Sequence, residues 1–495
     1  MVMGQTIDRD DFSAPDFEQF ALRLQQCMTA LRALLARPGF GEGETSIGAE
    51  LELAIVDQQG MPMPLNRRLL ADAMEPRLQL EIDRFNLEYN LTPQALRERP
   101  FSRLQDELER AMAAIDTAAA DHGGRIATIG ILPTLRKQDL GADALTDLPR
   151  YRALAAGVRH LRQAPFEINI NGADHLVTTS DSVTLEGANA SFQVHLRVDP
   201  KRFADTFNAA QLVTPLAVAI GANSPLFLGH RLWDETRIAL FKQAVDSRSP
   251  GAVEWRRAAR VPFGHGWARH GAHELFAESV ALFPPLIPQC SDEDPATALK
   301  NGATPSLSEL RLHQSTTWQW NRAIFDPAGG GHLRLEMRAL PAGPSAIDMA
   351  ANAAFLVGLV LGMRDRITEL IPALPFQYAE YNFYRSAQHG LDAQLLWPTL
   401  EPISPHERSV RGLIEEMLPV AEAGLLGHGV DKAEADSYLT LIAKRLRNEV
   451  TGARWQRRTV ARLERRNGRD EAIRLMLQAY LRNAATGEAV HRWKA

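Results

Sequence analysis

The chain has 495 residues, of which 45% are hydrophobic and 23% charged, and its formal net charge is −5 at pH 7. These values are typical of a soluble globular protein with room for more than one domain, and the acidic balance argues against nucleic acid as a partner. Two cysteines, Cys27 and Cys290, are too few for a disulfide framework, and the polar N-terminus does not resemble a signal peptide, so we expect a cytoplasmic protein.

Hydrophobic periodicity and turn residues predict a mixture of helices and strands along the chain. We predict a loose tail over residues 1–16, a catalytic domain over 17–404 and a helical C-terminal extension over 405–495. The predicted helices span 17–36, 101–122, 200–223 and 234–245, and the predicted strands lie within 48–55, 78–91, 125–132, 166–171, 192–198 and 333–340. Residues 246–332 contain few periodic stretches and are expected to form a long functional loop region.

One apolar run, over residues 349–363, is the longest in the chain. A membrane span needs roughly 20 consecutive apolar residues, so this run is too short. We therefore expect a buried helix and no membrane partner.

Four predicted strands share one pattern, in which apolar side chains alternate with charged or polar ones. Successive strand residues point to opposite faces, so residues two apart share a face. If the strands belong to one sheet, a single face carries the polar members: Glu50, Glu52, Glu88, Asn90, Gln193, His195, Glu336 and Arg338. Asn169 and Asn171 are expected to extend this polar face.

Clustered carboxylates repel one another, and a divalent cation removes that penalty. Each pair also has a simpler interpretation. Glu50 and Glu52 fit an exposed acidic strand, His195 fits a satisfied core histidine, and Glu336 with Arg338 fits an ion pair. Four such strands in one chain favour a shared site for Mg²⁺ and phosphate.

No Gly-x-x-x-x-Gly-Lys-Ser/Thr loop occurs in the sequence, so any ATP must be held by metal ions and cationic side chains. Guanidinium groups suit phosphate oxygens, although each single arginine is equally compatible with an ordinary surface position. The candidates are Arg237, Arg248, Arg256, Arg257, Arg260, Arg311 and Arg322.

Several motifs, in their order along residues 45 to 400, resemble the glutamate–cysteine ligase family, specifically its bacterial carboxylate–amine ligase group related to glutamine synthetase. The motifs are Gly48-Ala-Glu50-Leu-Glu52, Leu87-Glu88-Tyr-Asn90-Leu-Thr92-Pro93, Ser191-Phe-Gln193-Val-His195, and Glu336-Met-Arg338 followed by Pro341-Ala-Gly343-Pro344-Ser345. The resemblance implies an α+β fold, in which a curved, mostly antiparallel sheet holds the active site on its concave face with helices behind. The C-terminal helical extension lies outside the part that the motifs match.

The resemblance also implies an ATP- and Mg²⁺-dependent reaction, in which the γ-carboxylate of glutamate is phosphorylated and an amine, preferably cysteine, displaces the phosphate. By position, Glu52 and Glu88 resemble ligands of one metal, and Glu50, His195 and Glu336 resemble ligands of another. Arg338 resembles the arginine that stabilises the transferring phosphoryl group.

The remaining roles that the resemblance implies are less specific. Arg322 and Arg248 resemble residues that bind phosphate or a substrate carboxylate, and Arg237 and Gln193 are assigned to the nucleotide site. The alternatives are a ligase for another amine, a guanidino-type phosphotransferase, and a non-catalytic sensor of nucleotide or amino acid. The sequence leaves the oligomeric state open.

Overall fold

A long central strand with acidic residues on one face organises the main sheet of this computed structural model, which describes residues 7–249 and 257–494. The strands are β1 Ser46–Asp57, β2 Leu78–Leu80, β3 Asn86–Asn90, β4 Gln94–Ala95, β5 Gly124–Ala127, β6 Phe166–Asn171, β7 His175–Ser180, β8 Phe192–Val198, β9 Leu226–Phe227, β10 His230–Arg231, β11 Asn321–Asp326, β12 His332–Met337, β13 Gln394–Leu400 and β14 Ile403–Ser409.

Eight of these strands form one antiparallel sheet, in the order β11-β12-β8-β1-β3-β2, with β4 and β5 also pairing with β1. The three remaining sheets are the hairpins β6–β7, β9–β10 and β13–β14. All four polar strands predicted to share a sheet therefore do so, as β1, β3, β8 and β12.

The helices are α1 Ala14–Leu35, α2 Asn66–Asp72, α3 Pro100–Ala120, α4 Pro149–Arg162, α5 Phe203–Gly221, α6 Thr236–Ala244, α7 Ala272–Leu282, α8 Pro295–Lys300, α9 Ser308–Gln314, α10 Ala346–Met363, α11 Ile367–Leu370, α12 Phe376–His389, α13 Val410–Leu426, α14 Lys432–Asn448, α15 Gly452–Leu463 and α16 Arg469–Ala484. The apolar face of β1, with Leu51, Leu53 and Ile55, belongs to a core cluster that also includes residues of α1, α3, α5 and α10. The predicted α+β fold, with helices behind an antiparallel sheet, is confirmed.

Two helical segments, Pro200–Gly221 and Ala346–Met363, are long and apolar enough to cross a membrane by length and composition. In each, 89% of the apolar window is buried inside the fold. Their apolarity is that of central core helices, and the prediction of a buried helix over 349–363 is confirmed.

Two local predictions are wrong, and a third is confirmed only in part. Most described residues between 246 and 332 lie outside helices and strands, but the segment also contains α7, α8, α9 and β11; these elements are short, and β11 buries polar side chains that hide its alternation. Asn169 and Asn171 do not extend the polar face, since they lie on β6, whose hairpin is separate from the main sheet and exposes both residues. The strand predicted over 125–132 is shorter and ends at Ala127.

The C-terminal helices divide between two hydrophobic clusters. Helices α13 and α14 pack against α10, whereas α15 and α16 supply residues to a second cluster that includes Ala54 and Val56 of β1. The predicted boundary at residue 404 falls within β14, and residues 1–6 of the predicted tail lie outside the described residues. The division into domains stays a prediction.

Candidate active site

Strand register brings the predicted polar residues onto one face of the main sheet. Directly opposite residues of neighbouring strands have their side chains on the same face. The opposed pairs are Glu52–Glu88 and Glu50–Asn90 across β1 and β3, Glu50–Gln193 across β1 and β8, His195–Glu336 across β8 and β12, and Glu336–Arg322 across β12 and β11. Side chains that are up to 286 positions apart in the sequence thus form one polar surface.

Glu50, His195 and Glu336 form a compact triad in the middle of this surface. The Nε2 atom of His195 lies 3.1 Å from Oε1 of Glu50 and 3.8 Å from Oε1 of Glu336. One ligand atom from each residue lies within 4.8 Å of the other two, and all three side chains are buried.

Several ligand atoms of the triad lack hydrogen bonds from the described residues. The 3.1 Å approach between Nε2 of His195 and Oε1 of Glu50 lacks hydrogen-bond geometry, and neither of these atoms nor Nδ1 of His195 has a hydrogen-bond partner among the described residues. Buried polar atoms are costly when unpaired, so these atoms are suited to bind a ligand. Carboxylate oxygens and an imidazole nitrogen at this spacing fit a divalent cation.

Arg322 holds Glu336 in place from the edge strand β11. Its Nε donates to Oε2 of Glu336 at 2.7 Å and its Nη2 to Oε1 at 3.1 Å, while Nη1 donates to the carbonyl oxygens of Gln314 and Thr317. Burial raises the pKa of Glu336, but the guanidinium groups of Arg322 and Arg338 outweigh it and hold that pKa well below its usual range. Glu336 is therefore an ionised carboxylate.

Arg338 occupies the same surface and is linked to the carboxylates through Gln193. Its Nη1 donates to Oε1 of Gln193 and, at 3.3 Å, to Oε2 of Glu336. Gln193 in turn donates to Oε1 of Glu52 at 2.9 Å, and the backbone N–H of Ser191 donates to Oε2 of Glu52 at 2.7 Å. Burial lowers the pKa of Arg338, yet the nearby carboxylates raise it overall, and its buried Nε has no partner among the described residues.

Further carboxylates extend the acidic surface beyond β1. Glu88 accepts a hydrogen bond from Nδ2 of Asn90 at 2.8 Å. Burial and the charge of Glu50 raise the pKa of Glu88 well above its usual range. Burial and the charge of Glu52 raise the pKa of Glu81 to about 7, and burial and the charge of Glu81 raise that of Glu186.

The sequence reasoning missed Glu81 and Glu186. Glu81 could have been found, because it follows Gln79, which lies opposite Glu88 in the sheet and therefore shares its face. Glu186 had no such signal, since it follows a short 3₁₀ segment, Val183–Leu185, and not a strand.

Two predicted nucleotide-binding arginines make contacts of another kind. Arg237 is 2% exposed and donates to Glu235 and to the carbonyl oxygens of Arg338 and Ala339, so it supports the backbone behind the polar surface. Arg248 forms a forked ion pair with Asp246. No described contact brings either guanidinium into the triad, and their nucleotide roles stay predictions.

Of the remaining arginine candidates, Arg260 also has a structural role. Arg260 is almost fully buried and donates to Ser247 Oγ and to the carbonyl oxygens of Pro284 and Thr316, which is a structural use of its guanidinium. Arg256 lies outside the described residues.

Comparison with known proteins gives both a family and a fold. A curated glutamate–cysteine ligase from Haloquadratum walsbyi (strain DSM 16790 / HBSQ001) is 26% identical over 188 residues, which cover 37% of this chain and 45% of that protein, so the match spans less than half of the relative. The crystal structure of a Francisella tularensis glutamate–cysteine ligase in complex with AMP superposes with a TM-score of 0.55 at 12% identity, covering 89% of both chains. A bifunctional glutathione synthetase from Pasteurella multocida gives a TM-score of 0.46 at 12% identity over 94% of this chain and 55% of that one.

The first of these structures shows that the fold is shared, since at 12% identity a likeness speaks for the fold alone. The family model for glutamate–cysteine ligase family 2 matches residues 46–479, which include β1, β3, β8, β12 and most of the C-terminal helices. The resemblance seen in the motifs is confirmed: the chain belongs to glutamate–cysteine ligase family 2.

Proposed function

We propose that this chain is an ATP- and Mg²⁺-dependent ligase that forms an amide between the γ-carboxylate of glutamate and an amine, with cysteine as the preferred amine. The observation that carries the proposal is the buried triad of Glu50, His195 and Glu336, with unpartnered ligand atoms, on the same face as Arg338. Membership of a family named for this ligation supports the substrate class. We further propose that the reaction takes place in the cytoplasm with small-molecule substrates.

The residues that would hold metal fall into two groups. Glu50, His195 and Glu336 would bind one Mg²⁺, and Glu52 with Glu88, which oppose each other across β1 and β3, would bind a second. A bound cation supplies positive charge that offsets the carboxylates and the phosphate oxygens of ATP. Because Glu52 already accepts two hydrogen bonds, its orientation is set before metal arrives.

Arg338 would bind and orient the phosphoryl group that is transferred. Its unpartnered Nε and its raised pKa keep a charged donor available on the polar surface. Phosphoryl transfer depends mainly on positioning and on electrostatic stabilisation, which a fixed guanidinium supplies. Arg322 commits both Nε and Nη1 to Glu336 and to two carbonyl oxygens, so we assign it to positioning Glu336 and not to contacting substrate.

Adenine nucleotide as the energy source agrees with two observations. The Francisella protein was crystallised in complex with AMP, and this sequence has no Gly-x-x-x-x-Gly-Lys-Ser/Thr loop, which favours metal ions and cationic side chains such as Arg338 as the anchors for ATP. The shape of the substrate pocket determines which amine reacts, and the triad gives no information about that shape.

The direct test incubates purified protein with ATP, Mg²⁺, glutamate and a panel of amines, and follows phosphate release together with product mass. We expect one phosphate per γ-glutamyl amide, with cysteine as the best amine. A phosphorylated guanidino product would instead support a phosphotransferase. ATP binding without phosphate release from any substrate pair would support a non-catalytic sensor, and both outcomes would overturn the ligase proposal.

A further inference from the structure

The backbone that follows β12 begins at Arg338, and buried side chains donate hydrogen bonds to its carbonyl oxygens. We name residues 338–344 the exit segment. The Nη1 of Arg237 donates to the carbonyl oxygen of Ala339 at 3.2 Å, and Nη2 lies 3.5 Å from that of Arg338. Nδ2 of Asn223 donates to the carbonyl oxygen of Ala342 at 2.8 Å.

On its other side the exit segment pairs with the start of β8. The N–H of Phe192 donates to the carbonyl oxygen of Leu340 at 3.0 Å, and the N–H of Ala342 donates to that of Ala190 at 3.1 Å. Ser191, which lies between Ala190 and Phe192, donates its N–H to Glu52. A shift of the exit segment would therefore move Arg338 and the support of Glu52 together.

The C-terminal helices fix the amide of Asn223. Nδ2 of Asn223 donates to the hydroxyl of Tyr480 on α16 at 2.8 Å, and that hydroxyl donates to the carbonyl oxygen of Thr128 at 2.8 Å. Nε2 of Gln456 on α15 donates to Oδ1 of Asn223 at 2.9 Å and to its carbonyl oxygen at 3.0 Å. Asn223, Gln456 and Tyr480 are all 0% exposed.

The backbone packs closely against this network at two glycines. A Cβ atom on Gly343 would lie 2.1 Å from the carbonyl oxygen of Thr128 and 2.6 Å from the hydroxyl of Tyr480. A Cβ atom on Gly452, at the start of α15, would lie 2.0 Å from Oδ1 of Asn223. Both glycines allow the exit segment and α15 to approach the network within hydrogen-bonding range.

The same helices also continue the sheet surface that carries the triad. Along β1, Glu50 and Glu52 are followed on the same face by Ala54 and Val56. These two residues belong to the hydrophobic cluster that contains Tyr480. Helix α16 thus contributes to the apolar end of the face whose polar end is the candidate site.

We propose that α15 and α16 are positioning elements of the active site, and that Gln456 and Tyr480 set the place of Arg338 by fixing Asn223 against the exit segment. The inference rests on the proposed function for the role of Arg338. It gives the C-terminal helices a part in the reaction, through a buried network that joins Thr128, Asn223, the exit segment, Gln456 and Tyr480.

The first test measures amide hydrogen exchange in full-length Tyr480→Phe, which removes one hydroxyl and keeps the ring. Tyr438→Phe is the matched control, because Tyr438 is also buried and its hydroxyl donates to Gln105 at 2.9 Å, away from the exit segment. We expect roughly tenfold faster exchange at Phe192 and Ala342 in Tyr480→Phe, with no change there in the control. Equal exchange at these amides in both variants would overturn the inference whether or not the protein is a ligase.

The second test compares ligase kinetics of the same two variants. If the hydroxyl of Tyr480 only stabilised the fold, Tyr480→Phe would lose stability and keep the kcat of the control Tyr438→Phe. If the hydroxyl positions the active site, kcat should fall by roughly tenfold in Tyr480→Phe while KM for glutamate stays within about twofold. Gln456→Met, which keeps the side-chain length and removes both donated bonds, should lower kcat in the same direction. Wild-type kcat in both Tyr480→Phe and Gln456→Met would overturn the inference, whereas an inactive wild-type protein would count against the proposed function alone.

Discussion

Replacing Glu50 by glutamine separates metal binding from folding. Oε1 of Glu50 approaches Nε2 of His195 to 3.1 Å without hydrogen-bond geometry and has no hydrogen-bond partner among the described residues, so the substitution removes charge at little cost in internal hydrogen bonds. The charge of Glu50 also raises the pKa of Glu88, after burial itself, which shows that the two groups repel when ionised. We therefore expect Glu50→Gln to fold as well as the wild-type protein or slightly better in the absence of metal.

The expected loss of metal affinity follows from the size of the triad. Its ligand atoms lie within 4.8 Å of one another, so a cation bound by all three has each carboxylate close to it. Two unit charges 4 Å apart interact with about 4 kcal/mol in a partly buried site. Even if desolvation offsets about a third of this, the affinity should fall by at least about 100-fold.

The assay is calorimetric titration of purified protein with Mn²⁺ as a stand-in for Mg²⁺, alongside a thermal unfolding curve without metal. Glu416→Gln is the control, because Glu416 is an exposed carboxylate paired with Arg408 and carries the same change in charge. A Mn²⁺ affinity of Glu50→Gln equal to that of Glu416→Gln would refute the assignment of Glu50 as a metal ligand.

Three further predictions concern the residues around the triad. Glu336→Gln should reduce ligase turnover by about 100-fold or more because the charge shared by the metal and Arg322 is lost, and steady-state kinetics showing a near-normal rate would return Glu336 to a structural role. Arg338→Lys keeps the charge but loses the planar fork that contacts Gln193, so kcat should fall by about 100-fold while circular dichroism stays unchanged; an unaltered kcat contradicts the assignment. Burial lowers the pKa of His313 to about 4, so between about pH 6.5 and 4 the unfolded chain binds more protons at this residue than the folded protein does, and stability falls as the pH is lowered through this range. In denaturant titrations, the loss of stability between pH 8 and pH 5 should be about 2 kcal/mol larger in the wild-type protein than in His313→Gln, and equal losses in the two proteins would disprove this cause.

The polar surface was predictable because strand alternation is a local property. A side-chain period of two places Glu50 with Glu52, and Gln193 with His195, wherever the strand is paired. Membership of one sheet is not a local property, and the motif order of the family supported that expectation. The strand order and register, which the sequence did not predict, place the polar residues of the four strands on one face.

What the sequence did not reveal were the partners of buried side chains. Arg237 was assigned to nucleotide because guanidinium groups suit phosphate, but its fully buried position beside Glu235 depends on helix packing that no periodicity reports. Glu186 contributes to the acidic surface from a turn. Because side chains in a turn do not alternate between two faces, the sequence could not place it there.

The contacts of the C-terminal helices with the candidate site could not be predicted, because they join residues far apart in the sequence. Tyr480 lies 257 positions from Asn223, and Gln456 lies 233 positions from it, although both are in direct contact with that residue. The C-terminal helices therefore looked like a separate extension in the sequence. Their polar contacts in the folded chain tie them to the backbone that follows Arg338.

We propose that the face carrying Glu50, His195, Glu336 and Arg338 performs ATP-driven amide formation. The stoichiometry of phosphate and γ-glutamyl product formed by wild-type protein from ATP, Mg²⁺, glutamate and the amine panel tests this proposal. We expect one phosphate for each amide formed, with both products abolished by chelation of the metal. Folded protein that binds Mn²⁺ and ATP yet forms no amide with any amine would contradict it.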